Sequence, residues 1–319
     1  MAMRILVSGG NGFVGREVVR RLLGAHEVCV VDALRSGRVR FEAEESARLR
    51  FERADICDAT EMERVVGSFA PEAIIHLAAI HYIPECENDP ALAARTNISG
   101  TVNLLAATPR GCKFVFASSG AVYKPDTEPH AEATAVVEPS DIYGITKLQG
   151  EHYVAHLARA RDLPAVVVRL FNVVGPGETN PHLLPEIVAQ LKAGRREIRL
   201  GNIWPKRDYI HVEDAASGFV AATLDSSVGP GETLTVNLGT ARSYSVASVV
   251  RKLRRISGTP FGLARDGSRV RAVDRPVLTA DTTRIRTLLG WQATRSIDDA
   301  LADLWRDPDL SEALTARYL

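Results

Sequence analysis

The sequence has no excess of charge of either sign and no hydrophobic run long enough to cross a membrane. Its 39 lysines and arginines balance 39 aspartates and glutamates, so no net field attracts nucleic acid or an anionic membrane surface. A membrane-spanning helix needs roughly 18 consecutive apolar residues, and a secretion signal needs a charged leader before an apolar segment; the sequence has neither pattern. We therefore expect a cytoplasmic protein that binds neither nucleic acid nor membrane.

Cysteine is scarce and shows no pattern. The four cysteines, Cys29, Cys57, Cys86 and Cys112, form no C-x-x-C pair and have no nearby set of histidines. Their spacing predicts neither a disulfide framework nor a zinc site, and it is typical of a protein from a reducing compartment. On this basis we expect no bound metal ion.

Short apolar runs alternate with amphipathic stretches in a chain of 319 residues, whose 45% hydrophobic content suffices for a substantial core. Six runs have the length and composition of buried strands: 5–8, 28–31, 49–52, 73–77, 113–118 and 165–170. The stretches between them have helical periodicity. This alternation predicts an α/β fold with a doubly wound parallel sheet, whose ligand lies at the carboxyl ends of the strands.

The first predicted strand runs directly into a glycine-rich turn, Gly9-Gly10-Asn11-Gly12-Phe13-Val14-Gly15, and a helical pattern follows. This spacing lets the backbone approach a pyrophosphate at the N-terminus of a helix. Asp32 ends the next strand, where a carboxylate would accept hydrogen bonds from an adenosine ribose and repel a 2′-phosphate. The pattern favours NAD over NADP, although Arg35 and Arg38 could contact a phosphate if their loop folds inward.

These features predict a Rossmann domain over residues 1–172. Beyond residue 172, glycine and proline punctuate shorter elements. We predict that residues 173–319 form mainly a smaller α/β lobe for the substrate, with some chain returning to the first domain.

Tyr143 and Lys147 lie four residues apart, so on a helix both side chains project from one face. A lysine ammonium and a positive nicotinamide ring would favour the tyrosine phenolate. The phenolate could then accept a substrate hydroxyl proton while hydride leaves the same carbon. Ser118 and Ser119 end a predicted strand, so a serine hydroxyl is expected beside this helix. We predict a catalytic set of Ser119, Tyr143 and Lys147.

With these residues in place, the sequence resembles the extended short-chain dehydrogenase/reductase family, in particular its nucleotide-sugar epimerases and dehydratases. The resemblance covers nearly the whole chain. It also rests on Asp-Ile at 55–56, His-Leu-Ala-Ala at 76–79, Thr-Asn-Ile-Ser-Gly-Thr at 96–101, Arg-Leu-Phe-Asn at 169–172 and Arg-Asp-Tyr-Ile-His-Val at 207–212. It implies an NAD-dependent enzyme that modifies a nucleotide sugar, similar to the UDP-glucose and UDP-N-acetylglucosamine 4-epimerases. It also implies a homodimer formed through the helices after Asn97 and after Tyr143.

The resemblance assigns further residues to each ligand. Besides the glycine turn, Asp32, Tyr143 and Lys147, the predicted NAD contacts are Asp55, Ile56, Leu77, Ala78, Ala79, Asn97 and Phe171, with Asn97 also supporting the catalytic helix. The predicted substrate contacts are Tyr82, Ser119, Asn172, Leu183, Arg207, Arg271 and Asp274. Arginine suits a diphosphate because its planar fork donates paired hydrogen bonds. Considered alone, Arg207 would more ordinarily pair with Asp208 or Glu213, and Arg271 with Asp274.

The family's enzymes share a first step, removal of hydride from C4 of the sugar, and differ afterwards. Its 4,6-dehydratases carry an Asp-Glu pair after the strand-end hydroxyl residue, where this sequence has Gly120 and Ala121. That difference favours C4 epimerisation of a UDP-hexose or UDP-hexosamine.

Two alternatives stay open. One is dehydration, either 5,6-dehydration of a UDP-hexosamine or 4,6-dehydration, with acid or base from Tyr82, Glu85, Cys86 or Lys124. The other is a noncatalytic NAD-binding sensor, which the intact serine, tyrosine and lysine set disfavours.

Overall fold

The computed structural model describes residues 2–35, 37–178, 180–267, 275–307 and 310. The strands of this part of the chain are β1 (Arg4–Ser8), β2 (Glu27–Asp32), β3 (Arg50–Arg53), β4 (Ala73–His76), β5 (Lys113–Ser119), β6 (Ala165–Leu170), β7 (Asn172–Val174), β8 (Glu197–Leu200), β9 (Lys206–His211), β10 (Thr233–Leu238), β11 (Ser243–Ser245), β12 (Gly262–Arg265) and β13 (Val277–Leu278).

The helices of the same described ranges are α1 (Phe13–Leu22), α2 (Ala43–Ser46), α3 (Ala59–Phe69), α4 (Ile83–Asn88), α5 (Pro90–Ala94), α6 (Gly100–Ala107), α7 (Ile142–Arg161), α8 (Leu183–Lys192), α9 (Val212–Leu224), α10 (Val246–Ser257), α11 (Thr283–Leu289) and α12 (Ile297–Arg306). A π-helical turn, Arg95–Ser99, joins α5 to α6. A 3-10 turn, Gly120–Val122, follows β5. None of the helices described here is long and apolar enough to span a bilayer.

The main sheet is parallel and, within the described residues, contains seven strands in the order β10–β6–β5–β4–β1–β2–β3. The first six strands in chain order correspond to the six predicted runs, with ends that differ by one residue at most. In β1, Ile5 and Val7 belong to the core on one face of the sheet, whereas Leu6 belongs to the core on the other. Because both faces are buried, the strands are almost continuously apolar. The predicted doubly wound α/β fold is confirmed.

Chain beyond residue 172 completes this sheet. β10 pairs in parallel with β6 at the edge, and α9 packs against α1 on one face. The seventh strand was not among the six predicted runs, because its sequence, TLTVNL, alternates polar and apolar residues and its partner strand is distant in sequence. The substrate lobe predicted over residues 173–319 therefore shares its chain with the main sheet.

A second, smaller sheet lies beside the carboxyl edge of the first. Its central strand, β9, pairs in parallel with β7 and β13 and antiparallel with β11. The strands β8 and β12 form a separate parallel pair. A third apolar cluster packs α8, α10 and α12 together and includes Ile187, Val249 and Leu301. This packing holds β7 and β9 next to the strand ends of the main sheet.

Candidate active site

A cavity of about 1360 Å³ opens at the carboxyl ends of the parallel strands. Its walls include Gly9 after β1, Asp32 at the end of β2, Leu77 after β4 and Ser119 at the end of β5. Residues of β7, α8 and β9 form the opposite wall. The cavity therefore lies where a doubly wound sheet ordinarily binds its ligand.

The glycine turn has the geometry that a bound pyrophosphate requires. Gly9 has a φ of 72°, and a Cβ placed there would lie 2.6 Å from the backbone nitrogen of Ala78. A Cβ on Gly15 would lie 2.2 Å from the carbonyl oxygen of Gly9. Only glycine fits either position, and the turn delivers the N-terminus of α1 to the cavity, where its free N–H groups favour an anion. Of the turn residues, Gly9, Gly12, Phe13, Val14 and Gly15 all line the cavity.

Asp32 lies at the position predicted for the ribose ligand. Its two carboxylate oxygens accept hydrogen bonds from the backbone N–H groups of Asn11, at 3.1 Å, and Leu34, at 2.8 Å. Burial raises the pKa of this carboxyl, and the two hydrogen bonds partly offset that effect. Arg35, the alternative phosphate ligand, forms an ion pair with Glu85 at 2.6 Å. Asp32 is therefore fixed at the cavity wall, as NAD binding requires.

The remaining predicted dinucleotide contacts divide into two groups. Those that line the cavity are Asp55, Ile56, Leu77, Ala78, Ala79, Tyr143, Lys147 and Phe171. Asn97 is not among the residues that line it, and its assignment to direct NAD contact stays a prediction. Its buried side chain instead exchanges hydrogen bonds with the backbone of Ile80 and donates one to Thr146 Oγ1 on α7. Asn97 thus acts on the catalytic helix, the second role that the sequence predicted for it.

The three predicted catalytic residues converge on the cavity. Ser119 ends β5, and its hydroxyl is hydrogen-bonded to Tyr143. Tyr143 and Lys147 lie one turn apart on α7, with the lysine Nζ 5.9 Å from the centre of the tyrosine ring. Lys147 Nζ also donates to the carbonyl oxygen of Ala117 at 2.7 Å. The arrangement can orient a hydroxyl between Ser119 and Tyr143 beside a positive charge.

Burial controls the protonation of this site. It raises the pKa of the Tyr143 phenol, while the hydrogen bond from Ser119 acts in the opposite direction. Burial also lowers the pKa of Lys147 to about 8. The chain alone therefore keeps Tyr143 protonated, and the predicted phenolate would need further positive charge in the cavity.

The structure distinguishes the two serines at the end of β5. The Ser118 hydroxyl is buried and donates to Glu151 Oε1 at 2.5 Å. Glu151 is held in turn by a paired contact from Arg169, at 2.7 and 2.9 Å. Ser118 therefore connects β5 to α7 and β6, which leaves Ser119 as the serine next to Tyr143.

Arg275, which the sequence did not single out, fixes the start of the catalytic helix. Asp141 caps α7 by accepting from the backbone N–H of Gly144, and its other oxygen pairs with Arg275 at 2.7 Å. Arg275 also donates to the carbonyl oxygen of Ala121 at 3.1 Å. Asp141 is a recognisable capping residue in the sequence, but its arginine partner lies far along the chain and has no local signal.

The predicted substrate contacts come from both walls of the cavity, with Asn172, Leu183 and Arg207 on the wall of β7, α8 and β9. Tyr82, Asn172, Leu183 and Arg207 all line the cavity, together with Ser119. Arg271 and Asp274 lie outside the residues that the structure describes.

The two carboxylates first considered as partners of Arg207 are engaged elsewhere. Asp208 accepts hydrogen bonds from Thr240 and from the backbone of residues 241 and 280, and Glu213 contacts Arg21 and Arg295. The Arg207 guanidinium itself donates to the carbonyl oxygen of Arg275 at 2.7 Å.

Two of the groups considered for elimination chemistry are not among the residues that line the cavity. Cys86 is fully buried, its thiol contacts the carbonyl oxygen of Ile80, and burial raises its pKa to about 11. Lys124 is exposed and pairs with Glu138 at 3.2 Å. Glu85 lines the cavity but pairs with Arg35. Of the four groups considered, Tyr82 also lines the cavity.

Comparison with known proteins agrees with this geometry. Residues 5–239 match the model of the NAD dependent epimerase/dehydratase family. The chain is 35% identical to a UDP-glucose 4-epimerase from Streptomyces lividans, with 96% of each chain covered. The crystal structure of a UDP-glucose 4-epimerase from Brucella ovis in complex with NAD superimposes with a TM-score of 0.86 at 30% identity, over 97% of this chain and 99% of that one.

A UDP-glucuronic acid 4-epimerase from Bacillus cereus, in complex with UDP-glucuronic acid and NAD, gives a TM-score of 0.83 at 27% identity, over 95% of this chain and 98% of that one. The glycine turn, Asp32 and the Ser119, Tyr143 and Lys147 set are thus found in a chain that matches this family in sequence and in fold. The protein belongs to the NAD-dependent epimerase/dehydratase family.

Proposed function

We propose that this chain catalyses NAD-dependent C4 epimerisation of a UDP-hexose or UDP-hexosamine through a 4-keto intermediate. The observation that carries the proposal is the meeting of Ser119, Tyr143 and Lys147 in one cavity. Beside this set, Gly120 and Ala121 stand where a 4,6-dehydratase would carry its acid pair, and Gly120 packs on the Phe171 ring. No carboxylate therefore follows Ser119 on this turn.

In this proposal a residue of the chain takes a proton from the substrate and later returns it. Tyr143 accepts the proton of the C4 hydroxyl as the C4–H bond breaks, and later returns it to the carbonyl oxygen. Ser119 hydrogen-bonds the same oxygen, and Lys147 supplies positive charge that stabilises the phenolate. NAD, when bound, takes up the hydride from C4 and returns it, so no net oxidation occurs.

Inversion at C4 requires that the sugar turn over while the nucleotide stays fixed. We propose that Arg207 and Asn172 hold the diphosphate, since both line the wall opposite the catalytic set. We propose that the other cavity-lining residues bind NAD or the nucleotide sugar, as the sequence predicted for each of them. UDP as the nucleotide is supported by the Streptomyces lividans and Brucella ovis relatives, which are UDP-glucose 4-epimerases.

Dehydration has less support. It needs a group that removes the C5 proton and another that assists departure of water. The neutral Cys86 thiol and the exposed Lys124 ammonium lie outside the cavity wall, and Glu85 is held by Arg35.

The test is incubation with a panel of UDP-sugars in deuterated water, followed by mass spectrometry and NMR of the product. We expect an inverted C4 centre with unchanged mass. Replacement of Tyr143 by Phe should lower turnover by about 10²- to 10⁴-fold, because proton transfer is lost. Tyr153→Phe on the exposed face of α7 is the matched control. A product that has lost water, or full activity of Tyr143→Phe, would contradict the proposal.

We further propose that the protein acts in the cytoplasm as a homodimer. Four free cysteines support a reducing compartment. The helices expected at the dimer contact are α6 and α7, and α7 exposes two large apolar residues, Ile145 and Tyr153. Sedimentation of the wild-type chain and of Tyr153→Asp tests this: the wild type should be dimeric and the variant should dissociate more readily.

A further inference from the structure

Three residues that the reaction above does not use meet in the wall of the same cavity. His81 lies between β4 and α4, whereas Glu178 and His182 lie between β7 and α8. Each side chain offers one nitrogen or oxygen atom, and these atoms all lie within 4.8 Å of one another. The two imidazole rings stack at a centroid distance of 5.5 Å, and the Tyr82 ring packs edge-on against His182.

We propose that His81, Glu178 and His182 bind a divalent transition metal ion, with one coordination position open to the cavity. Two imidazoles and one carboxylate form a ligand set typical of zinc sites that keep a position for water or substrate. A zinc ion with ligands at about 2.1 Å would bring tetrahedrally arranged ligand atoms to about 3.4 Å apart. The atoms, which lie within 4.8 Å of one another, would therefore have to approach by about 1 Å for all three to reach one ion.

The surroundings of the three side chains also suit a metal site. Glu178 is 9% exposed, and a carboxylate so enclosed requires compensating positive charge or hydrogen bonds. Its carboxylate accepts a hydrogen bond from the backbone N–H of Asn180 at 3.0 Å and interacts electrostatically with the His81 ring. His81 has a hydrogen bond with the backbone at Ala79, the kind of outer contact that orients metal-binding histidines.

The loop that carries Glu178 is anchored at its preceding residue. The carbonyl oxygen of Gly177 accepts from the buried Arg16 guanidinium at 2.9 Å, and its N–H donates to Asp307 at 2.6 Å. The backbone immediately before Glu178 is therefore held by two hydrogen bonds. One contact must change: the Asn180 amide lies 3.2 Å from Nε2 of His81, and a bound metal would displace it.

The open position has a defined role in the cavity. His81, Glu178 and His182 line the same cavity as Ser119 and Tyr143. A metal held there would accept an oxygen of the sugar as its further ligand, and so stabilise one of the two orientations between which the sugar must turn beside Tyr143. This second step rests on the proposed function, whereas metal binding itself does not.

Metal binding is tested on the full chain, purified without a metal-affinity tag and stripped with EDTA. Zinc titration followed by calorimetry, with elemental analysis of the dialysed protein, should give one zinc per chain. His81→Ala, His182→Ala and Glu178→Gln should each weaken zinc binding by about 100-fold. Glu178→Gln preserves size, and NAD binding by each variant checks that it is folded.

Two controls keep the outcomes separate. His152 and His156 lie one turn apart on the exposed face of α7 and could chelate zinc themselves, so His156→Ala is the matched control and should bind as the wild type does. Tyr143→Phe should also bind zinc fully while losing turnover, which separates this proposal from the reaction. Zinc binding that survives His81→Ala, zinc binding lost in His156→Ala, or no binding by the wild type would overturn the site.

The open position is tested with cobalt(II) in place of zinc. Its visible absorption should change when UDP-glucose is added and stay unchanged with UDP, which lacks the sugar. An identical response to both would show that the sugar does not reach the metal.

Discussion

The dinucleotide side of the cavity contains a turn that is shaped by close backbone contacts, whereas the substrate side is formed mainly by side chains from separate segments. On the first side, the turn from Gly9 to Gly15 and the strand ends of one sheet define the shape. On the second, Tyr82, His182 and Arg207 come from different loops and from the smaller sheet. Substitutions that add atoms to the glycine turn should therefore weaken NAD binding, and substitutions that remove a polar side chain from the second side should weaken binding of the substrate.

The largest expected effect in this comparison is a loss of NAD affinity caused by a substitution in the glycine turn. Gly15→Ala places a methyl group 2.2 Å from the carbonyl oxygen of Gly9, a backbone atom that cannot move without opening the turn. Overpacking of this kind costs about 1 to 3 kcal/mol, and we expect NAD affinity to fall by about 100-fold.

Calorimetric titration with NAD measures this loss. Gly24→Ala is the matched control, because a Cβ there meets no atom within 4 Å, and its affinity should not change. Equal NAD affinity in the two variants would show that the turn is not held by backbone contact.

The second prediction concerns the loss of a charged side chain from the substrate side of the cavity. Arg207→Met should weaken UDP binding by about 30-fold, because the paired hydrogen bonds of a guanidinium to phosphate are lost. NAD affinity should stay as in the wild type, since Arg207 lies on β9 in the opposite wall.

Titration with UDP and with NAD separates the two sides. Arg199→Met on β8, an exposed residue outside the cavity, is the control and should leave both affinities unchanged. If Arg207→Met weakened NAD and UDP equally, the division of the cavity into two sides would fail.

The same division explains which features the sequence could predict. The strands β1 to β6 and the glycine turn have local signals, namely apolar runs and a fixed glycine spacing, and the structure has them where predicted. β10 has no such signal, because an edge strand need not be uniformly apolar and its pairing with β6 depends on distant chain.

In the site, too, the residues with a local sequence signal were predictable and those brought together by distant parts of the chain were not. Tyr143 and Lys147 are predictable because one helical turn joins them. Arg275 reaches Asp141 from far along the chain, and His81 meets Glu178 and His182 only in the folded protein. The cysteine spacing predicts no metal site, but it carries no information about histidines that meet through loops.

An effect similar in size to that of Arg207→Met is expected at Lys147, which lies where the two sides meet. Its pKa is lowered from 10.5 to about 8 because burial disfavours the charged ammonium. Below pH 8 both the folded and the unfolded chain hold this proton, so the cost of burying the charge is fully present. Between pH 8 and about 10.5 the folded chain releases the proton first, and stability rises with pH in that window.

Lys147→Met has no charge to bury at this position, so its stability should lack this increase with pH. The stability of the wild type, measured by urea unfolding without NAD, should therefore increase relative to Lys147→Met by about 2 kcal/mol between pH 7 and pH 10. For Lys124→Met, at an exposed position, the difference in stability from the wild type should be the same at pH 7 and at pH 10. A constant difference between wild type and Lys147→Met would mean that the ammonium is solvated, and that the positive charge beside Tyr143 is weaker as a stabiliser of phenolate than its burial implies.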